Sequence, residues 1–311
     1  MSAETETLTP RRVRPFYWSL RRELWENRST YLAPLVVAAV VLGGYLFALR
    51  FLTPMAHLAA GVVDGVGAKV GGKLTTAGKA ELAIVTPYNI AVGALLITAL
   101  IVGAFYALGA LHGERRDRSI LFWKSLPVSD LTAVLAKAFL PLIIIPLVAA
   151  AVAILTQAVM LGCGMAALMA SGADPSLLSR HLHLDVMWVT PPYGFLAASI
   201  WYAPILGWLL LVSAWAKRMT FVWAVAPPAA ICLFERLAFG TAHAWELLGR
   251  RLQGGLAQAF TSGGKGGGEI EHLSQLDPLG FVANPEMWAG LAVFAACLAG
   301  CVWLRRRRDP I

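Results

Sequence analysis

Apolar residues recur along this chain in six long runs, at about Tyr31–Leu49, Tyr88–Leu111, Ala138–Leu161, Phe195–Ala216, Thr220–Phe239 and Met287–Leu304. Each is close to the roughly 20 residues that a helix rising 1.5 Å per residue needs to cross the hydrocarbon of a bilayer. The runs are continuous rather than alternating. In lipid only helices or closed barrels satisfy every backbone group, so the pattern predicts six transmembrane helices and an all-α polytopic membrane protein. The first run starts about 30 residues in and is about 19 long, more than the 7–15 of a signal-peptide core, and is expected to stay as an anchor.

The polar stretches have patterns of their own. As a helix, residues 13–28 put Phe16, Tyr17, Leu20 and Leu24 within about 100° of one another, with Arg22 and Glu26 on the far arc and Trp18 and Trp25 between. Glu23 and Asn27 fall at the edge of the apolar arc. This predicts an amphipathic helix lying on the membrane surface before the first span, with an ordered tail as the alternative. A second segment, 112–130, holds seven charged residues between Glu114 and Asp130. Projected as a helix, 114–126 gathers Ile120, Phe122, Trp123 and Leu126 on one arc and Glu114, Asp117, Arg118, Lys124 and Ser125 on the other, with Leu121, Arg115 and Arg116 as exceptions. Pro127 stops that helix, and Ser129 or Asp130 is placed to cap the next. Such a helix either rests in the head groups or fills a cleft on a soluble partner with its aromatic side chains.

Three connections, 52–87, 162–194 and 240–286, lie on the other side of the spans. Segment 58–82, with six glycines, reads as loosely helical, and Gly263–Gly268 as a loop. The chain is thus one membrane domain, 31–304, between a tail and surface helix at 1–30 and a basic tail at 305–311.

Composition agrees: 58% of residues are apolar and 14% charged, with a mean hydropathy of +0.66, against about 45–50% and 25% in soluble domains. The net charge of +8 would suggest nucleic acid in a soluble protein, but here its distribution reports orientation. Segments 1–30, 112–137, 217–219 and 305–311 hold 17 Lys and Arg, and the far longer opposite connections hold seven. Both termini are therefore expected in the cytoplasm, with Arg305–Arg308 as a stop-transfer anchor in contact with anionic lipid. Cys163, Cys232, Cys297 and Cys301 lack zinc-site spacing and read as small apolar packers.

Motifs for chemistry are sparse. Gly67-x4-Gly72-Lys73 has phosphate-loop spacing, but Leu74 replaces the magnesium-binding Ser or Thr and no strand precedes it. Ser262-Gly263-Gly264 is a fragment of a nucleotide-binding signature on the wrong side. In an extended segment His181, His183 and Asp185 would share a face, though spacing suggests no further metal ligand. HExxH, GxSxG and paired intramembrane Asp or His are lacking, so nothing argues for an enzyme. Glu235 and Arg236 stand out in the fifth span, because a charge there costs about 2.5–3.5 kcal/mol. Adjacent residues point about 100° apart, so Arg50 is the expected partner of Glu235. The pair reads as structural, with a role in a transport path as the alternative. Pro141, Pro146, Pro204, Pro227 and Pro228 should kink their helices. Ala296-x3-Gly300 and Gly43-Gly44 suit close helix contacts within or between subunits.

Three stretches together resemble the permease subunits of bacterial type-2 ATP-binding-cassette transporters: the surface helix at 13–28, the segment from Glu114-Arg115-Arg116-Asp117-Arg118-Ser119 through Ser125–Ser129 to Lys137, and the ending from Asp277-Pro-Leu-Gly-Phe281 through Trp288 to Arg305–Arg308. The resemblance implies an elbow helix at the N-terminus and a coupling helix, Ile120–Leu126, seated in a groove of an ATPase. Glu114 is then the acidic residue that precedes it. A Gly-Thr pair is usual where this chain has Arg118-Ser119. The resemblance also implies a bacterial inner-membrane machine of two permeases, here a homodimer, and two ATPases that bind ATP and magnesium. Such a permease binds no cofactor itself. The apolar spans favour an amphipathic, lipid-like or peptide cargo. A non-transporting anchor or regulator of an ATPase in a sensing or resistance complex is the alternative, and a polytopic membrane enzyme a third.

Overall fold

A computed structural model of the chain describes residues 15–60, 69–70, 73–74, 76–117, 128–172, 174–254, 274 and 276–307. Helix α1, Pro15–Glu26, opens on a proline, whose fixed φ suits a first turn. The chain turns at Asn27, whose side-chain amide donates to Glu23 O at 2.9 Å, and continues as α2, Ser29–Ala60. A two-stranded antiparallel ribbon, β1 (Lys69–Val70) with β2 (Lys73–Leu74), pairs Lys69 with Leu74 and Val70 with Lys73. Helix α3, Thr76–Arg116, follows. Beyond the segment 118–127, Ser129 Oγ accepts from Thr132 N at 3.1 Å and starts α4, Asp130–Phe139, which passes through a π turn, Leu140–Ile144, into α5, Ile145–Ala170. A short α6, Ser176–His181, leads to α7, Leu184–Trp201, and α8, Ala203–Trp215. Last come α9 (Thr220–Phe239), α10 (His243–Gln253), α11 (Pro278–Ala283) and α12 (Pro285–Arg307).

Apart from the ribbon, the described chain is all-α. Five helical stretches, Ser29–Arg50, Ile84–Arg116, Asp130–Ala170, Thr220–Phe239 and Pro285–Arg307, are long and apolar enough to cross a membrane, and α7 with α8 makes a sixth if the bent pair is one span. The protein is thus a polytopic membrane protein. The fourth span is kinked where Pro204 leads one to expect it: the run Phe195–Ala216 is two helices bent by 54° at Tyr202. Pro204, in the first turn of α8, has no N–H to carry the α7 ladder onward. The double proline of α9, in contrast, lies inside one continuous helix.

The described parts of the connections are largely helical, because hydropathy marks where apolar surface ends and not where backbone hydrogen bonding ends, while Gly263–Gly268 and most of the glycines of 58–82 lie outside the described residues. Helices α2 and α5 overrun their apolar runs, and α10 lies wholly within a connection. The segment with His181, His183 and Asp185 is not extended: His181 ends α6, His183 has φ 39°, and Asp185 lies in the first turn of α7. Among the described residues no three His, Cys, Asp or Glu side chains gather for a metal ion.

The core has two main parts. Leu95, Leu96, Leu140, Ile145, Ala149 and Phe195 pack α3, α5 and α7 together against Ala38 of α2. Leu111, Val134, Leu206, Leu210, Phe294 and Leu304 join α3, α4, α8 and α12. Glycines make the second part close: a Cβ on Gly207 would lie 2.8 Å from Phe294 Cδ2, and one on Gly300 2.9 Å from Leu211 Cδ1. Of the Ala296-x3-Gly300 pattern, Gly300 thus serves a contact within the chain, while Ala296 is exposed. Gly43 and Gly44 meet nothing within 4 Å and are exposed.

Candidate functional site

Four helix ends converge at one end of the bundle, which carries α1, the start of α4 and the end of α12. Leu20 and Leu24 of α1 pack against the core, and Phe16 meets Phe139 edge-on at 5.7 Å. Trp18 and Trp25 stay exposed on the outer side, with the Arg21 guanidinium 5.4 and 4.9 Å from their ring centroids. The inward face of α1 also carries Glu23, which is buried.

Glu23 is one member of a buried charge cluster. Its Oε2 accepts from the Tyr106 hydroxyl of α3 at 2.7 Å, and its Oε1 from Lys137 Nζ of α4, also at 2.7 Å. Lys137 Nζ lies 3.3 Å from Oε1 of Glu114, near the end of α3. Glu114 Oε2 accepts from Arg305 Nη1 of α12 at 2.5 Å, and Arg305 Nε donates to Asp130 Oδ1 of α4 at 2.9 Å. Arg22 Nη2 stands 3.6 Å from Glu114 Oε1 while its Nε donates to Glu26 at 2.6 Å. The side chains of Glu23, Glu114, Lys137 and Arg305 are each at most 7% exposed. With Arg22, its partner Glu26 and Asp130 counted, carboxylates and cations alternate through the group. Spacing explains the convergence: Asp130 and Lys137, seven apart, share one face of α4, and Tyr106 and Glu114, eight apart, fall within about 80° on α3.

A cavity of about 470 Å³ opens beside the cluster between α1 and α3, floored by Gly109 and Gly113 and rimmed by Glu26 and Asp117. Next to it Arg115 Nη1 donates to Ala214 O at 2.7 Å, and Ser213 Oγ accepts from the N–H groups of Leu111 and His112 at 3.0 and 2.9 Å, tying the end of α3 to that of α8. Both oxygens of Glu23 and of Glu114 are engaged. The arrangement is therefore a latch between helix ends rather than an open acid or base.

Of the residues singled out from sequence, Glu114 sits at the centre of this cluster. Arg118, Ile120, Phe122, Trp123 and Leu126 lie outside the described residues. Glu235, Arg236 and Arg50 do not join the site. Nor does Glu235 take Arg50 as partner: Gly240, with φ 66°, turns the chain so that Glu235 accepts from Thr241 Oγ1, His243 N and Ala244 N at 2.8, 2.8 and 2.7 Å. It thereby caps α10, whose own N-cap residue, Ala242, has no side-chain acceptor. Arg50 lies over the Phe47 ring at 4.9 Å, and Arg236 is on the exposed face of α9. The other end of α10 is held too: Trp201 Nε1 donates to Arg251 O at 2.9 Å and the Tyr202 hydroxyl to Leu252 O at 2.7 Å.

Sequence reasoning missed Glu23, Lys137, Asp130 and Arg305 as one site. The available signal was that Lys137 and Arg305 directly adjoin the apolar runs Ala138–Leu161 and Met287–Leu304, where an unpaired charge is costly; Glu23 and Asp130, farther from any run, carried none. Comparison of the chain with protein-family models, with curated proteins and with solved structures finds no match in any of the three, so the cluster's own residues carry the functional reading.

Proposed function

We propose that this chain is the permease subunit of an ATP-driven exporter of the type-2 ATP-binding-cassette class, in a bacterial inner membrane with both termini cytoplasmic. Two copies form a homodimer and engage two copies of a separate ATPase, which binds ATP and magnesium. The permease contributes the path and no chemistry, and its cargo is amphipathic, lipid-like or a peptide. The surface helix α1 is the elbow, and Ile120–Leu126 the coupling helix that docks on the ATPase.

The observation that supports this reading is where segment 118–127 joins the bundle. It leaves α3 four residues after Glu114 and returns three residues before Asp130, so both of its ends are anchored in the charge cluster. A force applied to that segment is delivered at once to α1 and to the second, third and sixth spans. Coupling of this kind requires the ATPase to contact the segment differently in its two nucleotide states.

Co-purification from membranes tests the proposal. The wild-type chain should retain the ATPase, and Phe122→Asp or Trp123→Asp should weaken retention at least tenfold, the scale of a buried aromatic anchor. Unchanged retention by both variants overturns the coupling-helix assignment. Cargo-stimulated ATP hydrolysis in vesicles separates an exporter from a non-transporting regulator.

A further inference from the structure

The third span changes helix type partway. Ile145 N–H donates to Leu140 O, five residues back instead of four, which makes Leu140–Ile144 a π turn between α4 and α5. The sequence dictates a break here: Pro146 has no N–H for Leu142 O, its α-helical acceptor, nor for Pro141 O, its π-helical one. Within lipid, carbonyls deprived in this way need a donor from elsewhere. They find Ser199 of α7, buried, whose Oγ lies 2.7 Å from Leu142 O and 3.3 Å from Pro141 O. A hydroxyl has one proton, so it serves one of these two carbonyls at a time. Three residues beyond Ser199, at Tyr202, the fourth span bends by 54°. One side chain thus joins the irregular points of two neighbouring spans.

The helices on either side of the π turn differ in length and fastening. Helix α4 has 10 residues and is about 15 Å long, and it is gripped by the charge cluster through Asp130 and Lys137. Helix α5 has 26 residues and is packed among α2, α3 and α7. The geometry points to the π turn as a hinge on which α4 pivots against α5, with Ser199 as a two-position latch whose hydrogen bond switches between Leu142 O and Pro141 O. What drives the hinge, motion of segment 118–127, rests on the permease reading; the hinge itself does not.

Nitroxide labels at Leu131→Cys in α4 and Leu155→Cys in α5, both exposed sites, in a chain whose four native cysteines are replaced by Ala, report the pivot by electron–electron distance measurement in lipid nanodiscs. Twenty-four residues of helix set the labels about 36 Å apart; a pivot of about 15° sweeps the far end of α4 sideways through about 4 Å, and with the labels about 6 Å off the helix axis it changes their separation by about 1.5 Å. The wild-type distribution should be split or spread by that amount. Deleting Ile143 together with Pro141→Ala and Pro146→Ala restores an unbroken α-helix and should leave one narrow distance. Ser199→Ala should broaden the wild-type distribution, and Ser199→Thr, which keeps the hydroxyl, should restore it. A wild-type distribution as narrow as that of the deletion variant overturns the hinge, and so does a Ser199→Ala distribution identical to wild type. Should the deletion variant not assemble, the Ser199→Ala and Ser199→Thr pair decides. An ATPase that co-purifies with a chain showing no pivot leaves the permease reading standing and removes the hinge; a pivot without an ATPase partner does the reverse.

Discussion

Replacing Lys137 with Met keeps the length and flexibility of the side chain and removes its charge. In the native protein the ammonium lies 2.7 Å from Glu23 and 3.3 Å from Glu114, and the three side chains are 5%, 5% and 7% exposed. Without it Glu23 keeps the Tyr106 hydroxyl and Glu114 keeps Arg305, but the buried cluster loses one positive charge between two carboxylates. Removing one partner of a buried pair costs about 3–5 kcal/mol, because the other charge stays buried without compensation. Arg22→Met is the control: that side chain is 23% exposed, its closest partner Glu26 53%, and such exposed pairs contribute about 0.2–1 kcal/mol. The two variants should therefore differ by about one and a half to three and a half orders of magnitude in unfolding equilibrium, measured by SDS titration in mixed micelles with circular dichroism. The double variant Glu23→Gln/Lys137→Met removes both charges of one pair while the Gln carbonyl still accepts from Tyr106, and should recover at least half of the loss. A Lys137→Met cost no greater than that of Arg22→Met, or a double variant as poor as the sum of its singles, would refute the coupled cluster.

Two other outcomes follow from packing and capping. Gly207→Val forces side-chain atoms against Phe294 and Cys297 and should lower stability in the same titration by about 1–3 kcal/mol, separating α8 from α12; a neutral effect would show that this contact can relax. Glu235→Ala removes the acceptor for His243 N and Ala244 N, so those amides should exchange faster in hydrogen–deuterium exchange and α10 should fray from its first turn, whereas unchanged protection would remove Glu235 as its cap.

The membrane character and most of the spans were legible because a 20-residue apolar run has few other uses. The fifth span, Thr220–Phe239, coincides with its helix. The fourth was legible in composition and, through Pro204, in the presence of a kink, while neither signal gives its angle of 54°. Helix α1 was readable on a wheel, and the same wheel put Glu23 at the margin of its apolar arc, since a single helix carries no record of Lys137, which lies 114 residues away. Lys137 and Arg305 were counted as marks of orientation. Their pairing with Glu114 is tertiary and becomes visible only when four helix ends are brought to one place. Glu235 was assigned a distant partner because spacing along one helix excluded its neighbour Arg236, whereas the left-handed turn at Gly240 supplied nearer donors.

Helix α10 is fastened at its first turn by a carboxylate from the fifth span and at its last by an indole and a phenol from the bend of the fourth. Eleven residues make a rod of about 16 Å. Held in this way it is a spacer, which fixes how far the end of one span stands from the elbow of another. Besides the main-chain groups of α10, two of its side chains share the load: Arg251 stacks on the Trp201 ring at 4.3 Å and donates to Glu286 O at 3.2 Å, and Arg250 pairs with Glu286 at 3.3 Å, so the spacing depends on those two residues and not on the exposed apolar ones. Trp245 and Leu252 are free to change to suit whatever surrounds them, and the two spans would keep their distance.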